Sequence, residues 1–329
     1  MSVNRILCTV PSTAVPRSAF LRHDINKIAS FEFWEGDSLM PKEVLIEKIQ
    51  HFDALLTDPF HEVDNEVIRA TDGALKIIAD IGVGYDNIDI KFLKEKKISL
   101  LVTGSTTSVS PAEHIMFMIL NISKSFNLFD QSVRQGKFDT IMHMQHNSFE
   151  LFNKKILIVG FGRIGKQLIK KCLGFEMKIF VYDPYIEKKV IESLGGKKIN
   201  NLDDALKETD VLSLSVPLTK DTYNMINLEK MKKMKKTSII VNTSRGGVVN
   251  EKDLNTALDK EIIYGAGIDV FEKEPPSKDN PLLKNKKVLL SPHAATFTKE
   301  CSSKMAIQTA QNIIDFFENN LKKLMIVKL

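Results

Sequence analysis

Cysteine, tryptophan and arginine are scarce in this chain of 329 residues, which holds three, one and seven of them. Cys8, Cys172 and Cys301 are odd in number, far apart and outside any metal-ligand spacing. That excludes a disulfide framework and a thiolate metal centre; no metal is expected, and reduced thiols suit a cytoplasmic protein. Long hydrophobic runs are missing too, since the longest candidate, residues 115–122, falls far short of the about 20 that a membrane helix needs. The opening stretch MSVNRILCTV has no extended apolar core with a cleavage site, so neither a membrane partner nor a secretion signal is expected. No one sign of charge dominates, with 46 Lys and Arg against 41 Asp and Glu. The densest lysine run, KMKKMKK at 230–236, comes without an aromatic platform or recognition motif. It reads as a solvated face, and no nucleic-acid partner is expected. With 43% hydrophobic residues, the chain is long enough for two well-buried domains.

What is present begins with a glycine run, Gly160-Phe161-Gly162-Arg163-Ile164-Gly165. Residues 154–159 (KKILIV) read as a short buried strand, and 163–173 have the apolar spacing of a helix. Gly160 would permit the tight turn, Gly162 would let backbone approach a pyrophosphate, and Gly165 would let the helix pack close to the strand. Arg163 and Ile164 open that helix, whose N-terminus favours an anion. A second strand at 178–182 ends at Asp183, an acid placed to bond the adenosine ribose and to repel a 2′-phosphate. The expected cofactor is therefore NAD (NADH), although Lys188 and Lys189 stand close enough to meet a phosphate.

Strands and helices alternate twice along the chain. Residues 5–10, 31–34, 54–57, 75–79 and 99–103 read as buried strands, with helical stretches at 41–50, 65–70 and 90–96. A second series runs from 154 through 178–182, 211–216, 238–242, 265–270 and 288–291. The fold class expected is α/β, with two doubly wound parallel sheets. A buried helix is expected over 108–125, and a last helix at 303–320 carries Ala306, Ala310, Ile313, Ile314 and Phe317 on one face. That last helix comes too late to serve the second sheet, so it is expected to return to the first domain.

Three further segments fall at strand ends of the second series, where open parallel sheets bind ligands. Arg245 sits beside Gly246 and Gly247, and its planar fork suits bidentate capture of a carboxylate. Glu274 precedes Pro275 and Pro276, which stiffen its loop. His293 ends the last strand, and a histidine with an acid in the preceding strand-end loop makes a tuned acid/base pair. A lone histidine is more often structural, so it is the pairing that carries weight.

The segments GFGRIG, VPLT, NTSRGGVVNE, DVFEKEPP and SPHAATFTKE, with IGVGYDNID at 81–89, resemble the D-isomer-specific 2-hydroxyacid dehydrogenases. The likeness runs from roughly residue 54 to 320. It implies a flavodoxin-like substrate domain of residues 1–107 plus 297–329, with a Rossmann NAD-binding domain, 108–296, inserted. It also implies roles: Arg245 holds the substrate carboxylate, His293 is the proton donor, and Glu274 bonds its imidazole. By the same resemblance, the amides of Val83 and Gly84, next to Tyr85, receive the substrate carboxylate. Asp269 would meet the nicotinamide carboxamide, and Val216, Pro217, Thr222 and Thr243 would line the cofactor. The implied partners are a small 2-oxo or 2-hydroxy acid and a second copy of the chain in a homodimer.

Departures from the family pattern narrow the substrate. Phosphoglycerate dehydrogenases carry an Arg-Ser pair after the third strand and an Arg before the Gly-x-Gly loop, where this chain has Asp58-Pro59 and Asp80. Acids there disfavour a phosphorylated substrate, and no appended regulatory domain is expected beyond Leu329. Phe60, Tyr85, Thr107 and Phe297 suit a small acid such as glyoxylate or hydroxypyruvate. The alternatives are D-3-phosphoglycerate oxidation and an NAD(H)-sensing binding role. Formate dehydrogenases resemble a pattern with Gln where Glu274 stands, and phosphite-type enzymes one with Lys near Val83. His143 and His146 are expected to be surface or dimer contacts.

Overall fold

The computed structural model describes residues 3–11, 15, 17–21, 24–104, 107–143, 147–320 and 326–327. It divides into two compact units, Met1–Thr107 with Phe297–Leu329, and Ser108–Thr296. The first holds a parallel sheet of β1 (Asn4–Cys8), β2 (Ala29–Phe33), β3 (Ala54–Thr57), β4 (Ile77–Asp80) and β5 (Ser99–Val102). Its order, β2-β1-β3-β4-β5, is that of a flavodoxin-like sheet. Every residue of β3 and β4 is buried, as a strand covered on both faces requires, which is why these segments read as unbroken apolar runs.

The last helix, Lys299–Phe317, belongs to this first unit: Cys301, Met305, Ala306, Ala310, Ile313 and Ile314 pack with residues of β1, β3 and β4. It starts a turn earlier than the apolar spacing predicts because Thr298 Oγ1 caps it, accepting from the Cys301 amide at 3.2 Å. Its end is a Schellman closure. Asn319 takes the left-handed conformation (φ 59°), the Asn320 amide reaches Asp315 O at 2.7 Å, and the Asn319 amide reaches Phe316 O at 3.1 Å.

The second unit carries seven parallel strands: β6 (Lys155–Val159), β7 (Lys178–Tyr182), β8 (Lys197–Ile199), β9 (Val211–Leu214), β10 (Ile239–Asn242), β11 (Gly265–Ile268) and β12 (Val288–Leu290). The order β12-β11-β10-β9-β6-β7-β8 reverses direction between β6 and β9, the switch point at which doubly wound sheets bind dinucleotides. Two features differ from the sequence expectation. β8 has the sequence KKI, too short and too charged to stand out as a strand, and it takes its place by pairing along β7. The stretch after the buried helix Val109–Ser123 forms two further helices, Phe126–Arg134 and Phe138–Met142. The lysine run is laced to acids, with Lys232 to Glu229 at 2.7 Å, Lys233 to Asp203 at 2.5 Å and Lys235 to Asp210 at 2.8 Å. No helix of the described residues is long and apolar enough to cross a membrane. Among those residues no cluster of three metal-ligating side chains occurs.

Candidate active site

The three glycines after β6 do three separate jobs. Gly160 has φ 92°, and a Cβ there would lie 2.4 Å from Ser215 O, so neither its conformation nor its surroundings admit a side chain. Gly165 lets the helix Arg163–Gly174 rest on the strand, since a Cβ would come 2.7 Å from Gly160 O. Gly162 is the helix N-cap in extended conformation, and a Cβ there would meet nothing within 4 Å. Open space therefore faces the first amides of the helix, those of Arg163 and Ile164, which have no intrahelical partner.

Asp183, directly after β7, is locked beside this loop: Oδ2 accepts from the Phe161 amide at 2.7 Å and Oδ1 from the Tyr185 amide at 2.9 Å. Each oxygen keeps a lone pair for a ribose hydroxyl. At the neighbouring strand ends, Ser215 Oγ and Thr243 Oγ1 are buried without a hydrogen-bond partner, as is Ser213 Oγ within β9. Buried hydroxyls are almost always satisfied, and orphans at the carboxyl ends of β9 and β10 fit a polar ligand at the switch point. Thr222 closes the turn after Val216 and Pro217, donating to Pro217 O at 2.6 Å. Glycine loop, acid and orphan hydroxyls together fit a dinucleotide.

Beyond β10 the chain turns on Asn242, whose Oδ1 accepts from the Ser244 amide and hydroxyl (3.1 and 2.7 Å) while Nδ2 donates to Arg245 O at 3.0 Å. That turn presents Arg245, whose Nη1 also donates to Ser244 O at 2.6 Å. Gly246 then presses against the loop after β11: a Cβ on it would sit 1.8 Å from Phe271 O. The same Phe271 donates its amide to Glu274 Oε1 at 2.9 Å, and Glu274 Oε2 lies 2.7 Å from His293 Nδ1. Burial pushes the Glu274 carboxyl up, but the His293 bond and charge, the Phe271 amide and the Arg245 charge outweigh it and hold it below the ordinary value of 4.5. An ionised Glu274 only accepts, so His293 Nδ1 carries the proton toward it.

Asp269, expected beside the cofactor, is completely buried and holds the histidine loop. Its Oδ1 accepts from Ser291 Oγ at 2.5 Å and the Ala294 amide at 2.8 Å, and Oδ2 accepts from the Ala295 amide at 3.1 Å. Asn242, Ser244, Ser215 and Ser291 were not singled out from sequence; the only signal for them is their place at strand ends.

In the first unit, Val83, Gly84 and Tyr85 lie in the loop after β4, where Val83 is exposed. Asp58 and Asp80 end adjacent strands and are buried, not turned to solvent. Asp58 Oδ1 accepts from the Phe60 amide at 2.9 Å and lies 2.8 Å from His61 Nδ1. His61 Nε2 accepts the Met40 amide at 3.1 Å, so Nδ1 is the protonated nitrogen and donates to Asp58. Phe60 and Phe297 meet edge to face, 6.5 Å between centroids. His143 is exposed, and His146 lies outside the described residues. A cavity of about 580 Å³ in the second unit lies elsewhere, lined by Ser125, Phe149, Lys154 and Tyr264 near the amino ends of the strands.

Comparison with known proteins agrees with this geometry. The family described as "D-isomer specific 2-hydroxyacid dehydrogenase, NAD binding domain" matches residues 116–295. A glyoxylate reductase of Korarchaeum cryptofilum is 39% identical over 289 residues, covering 87% of this chain and 86% of that protein. A D-3-phosphoglycerate dehydrogenase of Archaeoglobus fulgidus is 36% identical over 276 residues, 84% of this chain but 51% of that protein. Among solved structures, D-lactate dehydrogenase from Aquifex aeolicus, complexed with NAD and lactic acid, superposes with a TM-score of 0.82 at 27% identity, covering 97% of each chain. With the glycine loop, Asp183 and the strand-end loops all inside the matched segment, this chain belongs to the D-isomer-specific 2-hydroxyacid dehydrogenases, oxidoreductases that use NAD.

Proposed function

We propose that the protein reduces a small, non-phosphorylated 2-oxo acid to the 2-hydroxy acid with NADH, as the D isomer where the product is chiral, glyoxylate and hydroxypyruvate being the first candidates. The observation that carries this is the His293–Glu274 pair at 2.7 Å with the Arg245 charge close enough to act on the same carboxylate. When bound, NADH supplies the hydride. Arg245 holds the substrate carboxylate and draws charge from the 2-oxo group. His293 gives its Nε2 proton to the oxygen as negative charge develops there, and takes it back in the oxidative direction. Glu274 keeps the ring oriented through Nδ1, 2.7 Å from its Oε2. Val83, which is exposed, and the neighbouring Gly84 and Tyr85 are further candidates for binding the substrate carboxylate.

For the cofactor, the amides of Gly162, Arg163 and Ile164 would hold the pyrophosphate and Asp183 the ribose, with Val216, Pro217, Thr222 and Thr243 alongside, while the fully buried Asp269 serves the histidine loop instead. Lys188 and Lys189 are occupied by Glu192 (3.6 Å) and Glu187 (3.3 Å), which supports NADH over NADPH. Against a phosphorylated substrate stand the acids themselves, Asp58 after β3 and Asp80 at the end of β4. Both positions hold buried acids, and burying a phosphate beside them adds like charge in a low dielectric.

Steady-state turnover of glyoxylate, hydroxypyruvate, pyruvate and phosphohydroxypyruvate with NADH and NADPH tests the reading. Faster reduction of phosphohydroxypyruvate than of the unphosphorylated acids would overturn the substrate assignment. NADH binding with no oxo acid reduced would overturn the enzyme assignment. His293→Gln is expected to abolish reduction while leaving NADH affinity near the parental value.

A further inference from the structure

A second histidine stands behind the acid/base pair. His114, in the helix Val109–Ser123, is 19% exposed, with Nε2 2.9 Å from Ser291 Oγ and 3.6 Å from Asp269 Oδ1. The direction of the bonds follows from counting protons. Ser291 has one hydroxyl proton and gives it to Asp269 Oδ1 at 2.5 Å, so its oxygen accepts from His114, and Nε2 of His114 is the donor. Asp269, with no exposed side-chain surface, spends its remaining capacity on the histidine loop: its carboxylate takes the Ala294 and Ala295 amides, and its main-chain oxygen takes the His293 amide at 2.7 Å. Three consecutive amides thus hang on one residue. They hold His293 at φ 53°, a left-handed conformation that a histidine adopts only when its surroundings impose it. Ser110 Oγ fastens the far side of the loop by donating to Ala295 O at 2.6 Å.

We propose that His114 is a positioning residue for the acid/base histidine, acting as a hydrogen-bond donor through Ser291 and Asp269. The proposal rests on the reading of His293 as proton donor. Removing the donor leaves the Ser291 oxygen without it, lets the hydroxyl turn from Asp269, and loosens the carboxylate that fixes the loop. His293 then loses its aim while the glycine loop on β6 and its cofactor contacts stay as they are.

The test is steady-state reduction of the best-used 2-oxo acid by His114→Ala, His114→Gln, Ser291→Ala and the double His114→Ala/Ser291→Ala, with NADH binding and thermal melting measured alongside. His114→Ala and Ser291→Ala are each expected to lower kcat by about 10- to 100-fold, as an ångström-scale misplacement does, with KM and NADH affinity little changed. The double variant should be no slower than Ser291→Ala, because the two act in one chain. His114→Gln keeps an N–H donor and should recover most of the rate. An unchanged kcat in His114→Ala, losses that multiply in the double variant, or a His114→Gln as slow as His114→Ala would overturn the proposal. If His114→Ala does not fold, His114→Gln against Ser291→Ala decides: a fast Gln beside a slow Ala supports the relay, and two equally slow variants refute it. His293→Gln, run in parallel, separates the layers. Its retaining turnover would remove the proton-donor reading itself, whereas an inactive His293→Gln beside an unimpaired His114→Ala would remove only the role of His114.

Discussion

Replacing Gly246 with alanine sets a methyl group 1.8 Å from Phe271 O, 2.0 Å from its carbonyl carbon and 2.5 Å from the Glu272 nitrogen. All three are backbone atoms, and the shortest contact a real Cβ makes is 3.0 Å, so the two strand-end loops must part by about 1.2 Å. Phe271 is the residue whose amide fixes Glu274 at 2.9 Å, and Glu274 is the residue that fixes His293 at 2.7 Å. Arg245 immediately precedes the glycine, so the added methyl drives Arg245 and His293, the proposed carboxylate clamp and proton donor, apart. A misplacement of about 1 Å at reacting groups costs on the order of 100-fold in rate. Overpacking of this kind costs roughly 1–3 kcal/mol in stability, which a two-unit chain of this size survives. Gly246→Ala is therefore expected to fold, to bind NADH through the untouched glycine loop, and to lose about 100-fold in kcat/KM for the oxo acid. Stopped-flow or steady-state reduction, a fluorescence titration with NADH and a urea melt measure the three quantities. A folded variant with parental kcat/KM would show that the Gly246–Phe271 contact does not set the geometry.

Three other outcomes follow from the same contacts. Because Glu274 titrates in the folded protein below its ordinary value of 4.5, its ionised form adds stability at neutral pH that is lost as pH falls through the folded value. The stability gap between parent and Glu274→Gln should stay flat above about pH 5.5 and narrow in acid, and a gap that widens in acid would contradict the sign. Asp183→Asn should shift the NADH/NADPH preference by about tenfold or more toward NADPH, since two charges near 4 Å repel by roughly 1–4 kcal/mol; KM values for both cofactors check it. Ile313→Ala, at a fully buried position of the last helix, should cost about 2–5 kcal/mol in urea unfolding, and a cost under about 1 would mean the helix is not part of the first unit's core.

Much of the second sheet was legible because its central strands are covered on both faces and read as apolar runs, as in IIVN of β10. The glycine loop was legible because each glycine answers a separate steric demand within a few residues of sequence. β8 was not, since KKI gains its strand character only from pairing along β7. The start of the last helix was misplaced because Thr298, Lys299 and Glu300 carry no apolar signal, while the cap that starts the helix is a single hydroxyl. Asp58 and Asp80 were visible as acids, but their burial was not, because the His61 that faces Asp58 takes its tautomer from the Met40 amide, 21 residues away in sequence.

The relay behind His293 shows why such a connection escapes a reading of motifs. Strands β11 and β12 pair Ile268 with Leu290, so the next residues on each, Asp269 and Ser291, fall side by side. The helix Val109–Ser123 lies against β11 because two of its four residues are glycines: a Cβ on Gly265 would come 3.0 Å from Ile122, and one on Gly267 would come 2.9 Å from Met118. Ile122, Met118 and His114 are spaced by four on one helix face, and Gly265, Gly267 and Asp269 by two on one strand face. Four helical residues rise about 6.0 Å and two strand residues about 6.6 Å, so the two ladders stay in step. Ile122 stands over Gly265, Met118 over Gly267, and the next rung brings His114 to Asp269. Neither period alone names that contact. It follows only once the glycines let helix and strand close, and the same glycines, read along the chain, look like a weak strand.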